Sequence, residues 1–351
     1  MDRNNLTAGS LRNTSGGSNA TASNDDVGFY PNAEVAGWLL LVIGVGTVIS
    51  NGIFLLTYCK VSSSSFHTPF NVYMLNLAIT DFVTAIFTTP GNFALYALNK
   101  WVFSRAFCTV YLYGFWTWYS LSIQFHMLIS LNRLWAVCFP MHYKTYHTKR
   151  LAALMCILTY IYAHIWTLTG LIPDDMYYRT ENFRDCSLNL MAQSLWATLC
   201  DLILYVVPEV VVVGVYPIIG WKVAQRRKVR ASARSKPGAT LSAADGVRDR
   251  YLARPSASVG PQQRSRGRQN VPGSSTSQFK VLTYLVAATV IFWTPNLVYF
   301  AIASTSDYFD STFYTITVVL LSINPLITPL TYPLASAVWR EAFRSLLKPT
   351  G

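Results

Sequence analysis

Seven long apolar runs divide this chain, and they constrain its fold more tightly than any other feature. Crossing the ~30 Å hydrocarbon core of a bilayer takes about 20 helical residues. Runs of that length fall near Ala36–Cys59, Phe70–Tyr96, Phe107–Cys138, Leu151–Ile172, Ala192–Trp221, Lys280–Ala303 and Thr312–Leu334. A membrane barrel would show strands of about ten residues with alternating polarity. These runs are longer and apolar on most faces, which predicts an all-α membrane protein, a seven-transmembrane helix bundle over 36–335. Composition agrees: at 52% hydrophobic and 13% charged, the chain is too apolar for an ordinary soluble domain.

No basic start followed by a short apolar core precedes the first run, so no cleavable signal peptide is expected and the first helix starts insertion. Residues 1–35 are polar and low in complexity, with glycosylation sequons at Asn5, Asn13 and Asn19. Such a tail makes sense only if it meets the lumen, which predicts a disordered, glycosylated, extracellular N-terminus on a multi-pass plasma-membrane protein. The short loops lean only slightly toward basic residues on the opposite side, so the sequons carry the orientation. A net charge of +12 raises the question of a nucleic-acid partner. Its bulk lies in one connection facing an anionic leaflet, with no folded domain around it, so no nucleic acid is expected and membrane lipids are.

That connection, 222–278, is rich in Ser, Arg, Gly and Pro and too poor in apolar residues to offset its ordering entropy, which predicts disorder. Ser232, Ser235, Ser256, Ser258 and Ser265 lie close to arginines, which fits either basophilic kinase sites or a solvated basic linker. In 336–351, Ser336–Leu347 places Val338, Trp339, Phe343, Leu346 and Leu347 broadly on one helical face, an amphipathic helix lying in the interface plane before a short tail. Of six cysteines, Cys59, Cys138, Cys156 and Cys200 sit in or at the ends of runs. Cys108 and Cys186 fall at the extracellular side and form the obvious candidate disulfide.

Several short motifs then occur in order in the expected runs. The first run contains SNG with Asn51, the second NLAITD, and the third ends SLNRLWAVCFPMHY; the fourth holds Trp166 and the sixth FWTP. With the Cys108/Cys186 pair, the chain resembles the rhodopsin-like family of G-protein-coupled receptors over about 300 residues. The resemblance implies a receptor that binds an extracellular ligand and activates a heterotrimeric G protein, with arrestin and receptor kinases as further partners.

The family's seventh helix carries an Asn-Pro followed at a fixed distance by Tyr, and Asn324-Pro325 is the tempting match. No tyrosine follows it in place. Counting from Pro329 reaches Tyr332, which lies seven residues before Trp339-Arg340, where the family starts its amphipathic helix. Pro329 therefore matches the family's proline and Thr328 stands where it has Asn or Asp. In that register Asp81, Ser122 and Asn324 match positions that coordinate sodium, with Asn51 and Trp293 nearby. A mid-membrane carboxylate needs such a partner. A protonated, hydrogen-bonded Asp81 without metal is the alternative.

Three prolines in Ser322–Leu334 each remove a helical donor, which predicts a hinge of activation. The family's Asp-Arg-Tyr appears as Asn132-Arg133-Leu134, with Arg133 able to reach a partner's backbone carbonyls. Loss of the aspartate predicts raised ligand-independent activity, unless other contacts hold the closed state. Met141 matches a loop position that offers an apolar knob to the G protein, and Tyr216 fits a switch position of the fifth helix. His126 faces inward in the third run, as a pH-sensitive group or a fixed hydrogen-bonding one.

Family correspondence points to a ligand pocket at Phe115, Trp116, Tyr119, Asp201, Trp293, Asn296 and Phe300. Phe115 stands where amine receptors need an aspartate, so Asp201 is the candidate for a cationic group, or else a structural acid. The loop Pro173–Leu190 reads as a hairpin lid. Acidic Asp174, Asp175, Glu181, Asp185, Asp307 and Asp310 outside favour a positively charged peptide ligand. Asn132 is also similar to melatonin-type receptors, which implies a small aromatic or amine-type ligand instead. Ser322 stands where a photopigment carries its Schiff-base lysine, so no retinal is expected. A transporter using Asp81, Asp201 and Glu209 would predict internal repeats, and none is found. No HExxH or GxSxG motif points to an enzyme.

Overall fold

The computed structural model describes residues 33–61, 68–179, 186–234, 274–305, 310–335 and 337–346. The three sequons, the serines from Ser235 to Ser265, and Glu181, Asp185 and Asp307 lie outside the described residues. In chain order the helices are α1 (Glu34–Lys60), α2 (Pro69–Ala97), α3 (Arg105–Cys138), α4 (Pro140–Tyr146), α5 (Lys149–Pro173) and α6 (Ser194–Asp201). They continue with α7 (Val207–Arg234), α8 (Ser274–Phe292), α9 (Thr294–Thr305), α10 (Ser311–Ala335) and α11 (Ala337–Leu346). The seven expected spans are α1, α2, α3, α5, α6 with α7, α8 with α9, and α10. No strand occurs among the described residues.

Polar side chains start these helices by accepting from backbone N–H groups that lack a helical partner. Thr68 caps α2 through Asn71 N (3.3 Å), Ser104 caps α3 through Phe107 N (3.3 Å), and Thr148 caps α5 through Leu151 N (3.2 Å). Asp310 does the same for α10 through Phe313 N, at 2.8 Å.

Six spans are long and apolar enough to cross a membrane by composition, and α3 falls outside that set. It packs against α2, α5 and α7, and buries Ser120, Ser122, Gln124, His126, Ser130 and Asn132. Lipid-facing surface is left to helices such as α1 and α5, which expose Val42, Ile49, Leu56, Ile157, Ile161 and Ile165. Such an apolar exterior around a polar-seamed interior suits hydrocarbon as solvent. Close approach depends on glycine: a Cβ on Gly37 would meet the backbone of Ala97, and one on Gly91 the ring of Tyr111.

Two loop expectations change. The stretch from Lys222 is not loop from its start, since α7 runs to Arg234, and α8 begins at Ser274 inside the expected loop. The Pro173–Leu190 loop is no hairpin in its described part: α5 is prolonged through Asp174–Tyr178 in wider turns, with Arg179 N donating to Asp174 O at 2.7 Å. The expected amphipathic helix is α11. Trp339 turns inward and stacks on Phe54 at 4.4 Å, whereas Val338, expected on the same face, is exposed.

Candidate functional site

At the centre of the bundle, Asp81 on α2, Ser122 on α3, Asn51 on α1 and Asn324 on α10 are all fully buried. Ser122 Oγ donates to Asp81 Oδ1 at 2.8 Å. Asp81 Oδ2 and both polar atoms of the Asn324 amide have no partner among the described residues. Thr328 spends its hydroxyl on Asn324 O, 2.9 Å away. Asn51 Nδ2 donates to Pro325 O at 3.0 Å. That carbonyl is the one Pro329 leaves free by lacking an N–H, so the proline signature and Asn51 form one device.

Toward the Cys108–Cys186 bridge, which forms as expected, the bundle is lined with aromatic rings. Phe115 meets Tyr119 edge-on at 5.0 Å and Trp116 at 6.3 Å. Tyr119 in turn meets Trp293 at 6.1 Å, and its hydroxyl lies 3.1 Å from Ser322 Oγ on α10. Trp293 is the residue at which the sixth span breaks between α8 and α9. Tyr205 closes the group, 6.2 Å from Trp116 and 6.3 Å from Trp293, with its hydroxyl donating to Trp116 O at 2.7 Å. Asp201 lies one turn from Tyr205, half-buried, and makes no ion pair with a described residue. Asn296 and Phe300 approach from α9 and are held by α10: Asn296 Nδ2 donates to Thr317 Oγ1 at 3.0 Å and Phe300 meets Tyr314 at 6.1 Å.

Of the acids expected outside, the described ones, Asp174, Asp175 and Asp310, are engaged within the protein. Asp174 receives Arg179 Nε at 2.7 Å, and Asp175 Oδ1 is shared by Arg179 Nη1 at 3.1 Å and Arg105 Nε at 3.3 Å. Thr109 and the backbone of Asn189 join the same network, which ties the loop to the top of α3 beside the disulfide. Asp310 is spent on its cap. The paired Asp-Asp with Arg179 a turn later was the available signal for this network.

At the opposite end, Arg133 is buried beneath the ring of Phe70, 3.1 Å from its centroid to the guanidinium carbon. Asn132 is also buried and engages His147 and Tyr143. Tyr216 donates to Thr283 Oγ1 at 3.3 Å, joining α7 to α8. Met141 and Phe139 are 63% and 64% exposed on and before α4, an unusual presentation for large apolar groups beyond the spans. Tyr332 packs between Phe54 and Trp339, at 5.0 and 5.7 Å. His126 Nδ1 lies 2.8 Å from Ser122 O, the fixed arrangement of the two expected. Sequence reading missed His147 and Gln124, whose roles depend on partners far away in the chain.

The described residues form a seven-helix bundle with a cluster of aromatic rings toward its disulfide end and a buried arginine at the other. Residues 50–332 match the family described as 7 transmembrane receptor (rhodopsin family), and the chain belongs to it. It is 27% identical over 156 residues to melanopsin of Felis catus, covering 44% of this chain and about a third, 32%, of that protein. It is 25% identical over 335 residues to trace amine-associated receptor 4 of Mus musculus, covering 91% and 87% of the two chains. Squid rhodopsin has the same fold, with a TM-score of 0.66 at 19% identity over 90% of this chain and 85% of that one. The protein is thus a multi-pass membrane receptor of a non-enzymatic class.

Proposed function

We propose that the protein sits in the plasma membrane with its N-terminus outside, takes an extracellular ligand among Phe115, Trp116, Tyr119, Asp201 and Trp293, and activates a heterotrimeric G protein. One observation carries this reading. Tyr119 on α3 touches both Trp293, at the break of the sixth span, and Ser322 on α10, so a ligand pressing on Tyr119 acts on three spans at once. The exposed Met141 and Phe139 supply apolar knobs for the G protein, and Arg133 is buried at the same end of the bundle.

The charged-peptide expectation loses Asp174, Asp175 and Asp310 to internal bonds, which leaves Asp201 as the acid available to the pocket among the described residues of that reading. The ligand that fits is an aromatic body with one cationic group, whether a small amine or the end of a peptide. Ser322, whose hydroxyl meets Tyr119 OH and donates to Val318 O, offers no amine at the position expected for a Schiff base, which argues against a retinal-linked pigment.

Asp81 and Asn324 fit a sodium ion, each presenting a buried oxygen without a protein partner, with Ser122 as the third ligand. Bound there, the ion would neutralise the carboxylate and tie α2 and α3 to α10.

The test is a library of aromatic amines and cationic peptides, read with several G-protein classes, on wild type and Asp201→Asn at matched surface expression. A ligand whose potency falls at least tenfold, about 1.4 kcal/mol, in the variant supports the reading. Silence of every G protein, with and without ligand, as receptor density rises would refute it; substrate uptake by vesicles would favour a transporter instead.

A further inference from the structure

Four side chains from three helices and the turn after them converge at the Arg133 end. Asn132 Nδ2 lies 2.8 Å from His147 Nε2, and Tyr143 OH donates to Asn132 Oδ1 at 3.1 Å. Tyr73 OH, from α2, reaches the same Nε2 at 3.2 Å. The imidazole lies almost parallel to Tyr143, at 4.5 Å and 21°, and to Tyr73, at 5.9 Å and 17°, with Trp135 against it edge-on. His147 and Asn132 are 8% and 5% exposed. Arg133 follows Asn132 directly in α3.

The donor inventory fixes the chemistry. With the Asn132 oxygen taken by Tyr143, its amide nitrogen can only donate, so His147 Nε2 must accept. The ring is then neutral, with its proton on Nδ1. An imidazolium would turn a donor toward another donor and bring a second cation near Arg133. Burial, and then the Arg133 charge, accordingly push the His147 imidazole down to about 4.

We propose that His147 is a positioning residue of the resting receptor: its neutral imidazole holds Asn132, and through the shared helical turn Arg133, as an uncharged latch across α2, α3 and α4. This rests on the reading that the protein activates a G protein. The latch answers the question raised by Asn132. The missing carboxylate does not leave Arg133 loose, because a neutral acceptor from the loop holds its neighbour, and the amide suits that acceptor better than a carboxylate would. Basal activity is therefore low in the native receptor and rises when the acceptor is lost.

The experiment uses full-length receptor at matched surface expression, with wild type, His147→Phe, which keeps a stacked ring without an acceptor, and His147→Gln, which keeps an acceptor without the ring. Basal nucleotide exchange is read on a panel of G proteins, and hydrogen exchange of residues 140–147 is read on purified receptor. His147→Phe should raise basal exchange roughly three- to tenfold, the loss of about one buried hydrogen bond, and lower amide protection by a similar factor. His147→Gln should stay near wild type in both. Equal effects of Phe and Gln, or no effect of Phe, overturn the latch. If protection falls in His147→Phe while no G protein responds to any variant, the latch stands and the proposed signalling fails. Should His147→Phe not reach the surface, Tyr143→Phe removes the hydroxyl on the other side of Asn132; unchanged exchange and protection there overturn the proposal equally.

Discussion

Pro208 and Pro329 each leave a carbonyl one turn back without its helical donor, and a single side chain from another helix answers each. Gln124 Nε2 reaches Leu204 O at 3.4 Å, and Asn51 Nδ2 reaches Pro325 O at 3.0 Å. The second bond is the shorter, and no backbone group can replace it. Intramembrane polar pairs average about 0.6 kcal/mol, but an orphaned buried carbonyl costs about 1–3 kcal/mol, and here the second figure governs. Asn51→Ala should therefore lower thermal stability by several degrees in purified receptor. Ser50→Ala should change little, because Leu326 O keeps Leu330 N as its helical donor and loses only a 3.4 Å contact. Equal losses in the two variants would contradict this account. His147 supports a second residue-scale prediction. Around it stand Tyr73, Asn132, Arg133, Trp135 and Tyr143, and its imidazole is held at about 4 against an ordinary 6.5. Between these values the open state binds more protons, so the latch gains stability as pH rises from 4 to 6.5 and is level above that. Protection of residues 140–147, corrected for intrinsic exchange, should follow that curve in wild type and lose it in His147→Gln. Little of this was legible in the sequence: Asn51 and Asn132 stood out by position, but their partners are set only once distant helices meet.

Among the elements, α10 shows what prolines can and cannot predict. Their positions announced a weakened helix, and the structure keeps it helical from Ser311 to Ala335, with Pro325, Pro329 and Pro333 inside. Asn51 serves one freed carbonyl, and Arg340 Nη1 from α11 serves the end of the helix through Pro333 O at 3.0 Å. In the fifth span, by contrast, the wide turns at Leu202–Val206 had no local signal beyond Pro208, and the Leu204 carbonyl within them accepts from Gln124 of α3. Hydropathy also understates α3, whose neighbours rather than lipid satisfy its polar groups. Pro329→Ala restores an N–H for Pro325 O and stiffens α10 where Asn324 and Tyr332 depart from it. The variant should be more heat-stable yet give a reduced maximal response to agonist. An unchanged maximal response at matched surface density would remove the hinge from the account.

Across the whole molecule, the aromatic cluster and the Arg133 end are separated by a bundle centre that is polar and, among the described residues, incompletely paired. The seven spans and the disulfide were legible because run length and cysteine position are local properties, although α3 is too polar to qualify by hydropathy alone. The lid network was not, because pairing of Asp174 and Asp175 with arginines depends on how the loop folds back onto α3. The centre lies between these cases: Asp81 was conspicuous as a buried acid, but only the packed structure leaves Asp81 Oδ2 and Asn324 Oδ1 without partners together. A cation held there joins α2 and α3 to α10 and favours the arrangement in which α10 has not moved, so it should stabilise the resting receptor in proportion to its binding. At a concentration of about 100 Kd that linkage is worth about 2.7 kcal/mol. Raising sodium chloride against choline chloride at constant ionic strength should therefore raise the melting temperature of purified receptor and lower agonist affinity. Asp81→Asn should abolish both effects, since a neutral amide retains hydrogen bonds with Ser122 but not the charge. If Asp81 is instead neutral through its own proton, sodium and choline will give the same melting curve, and the transition will respond to pH alone.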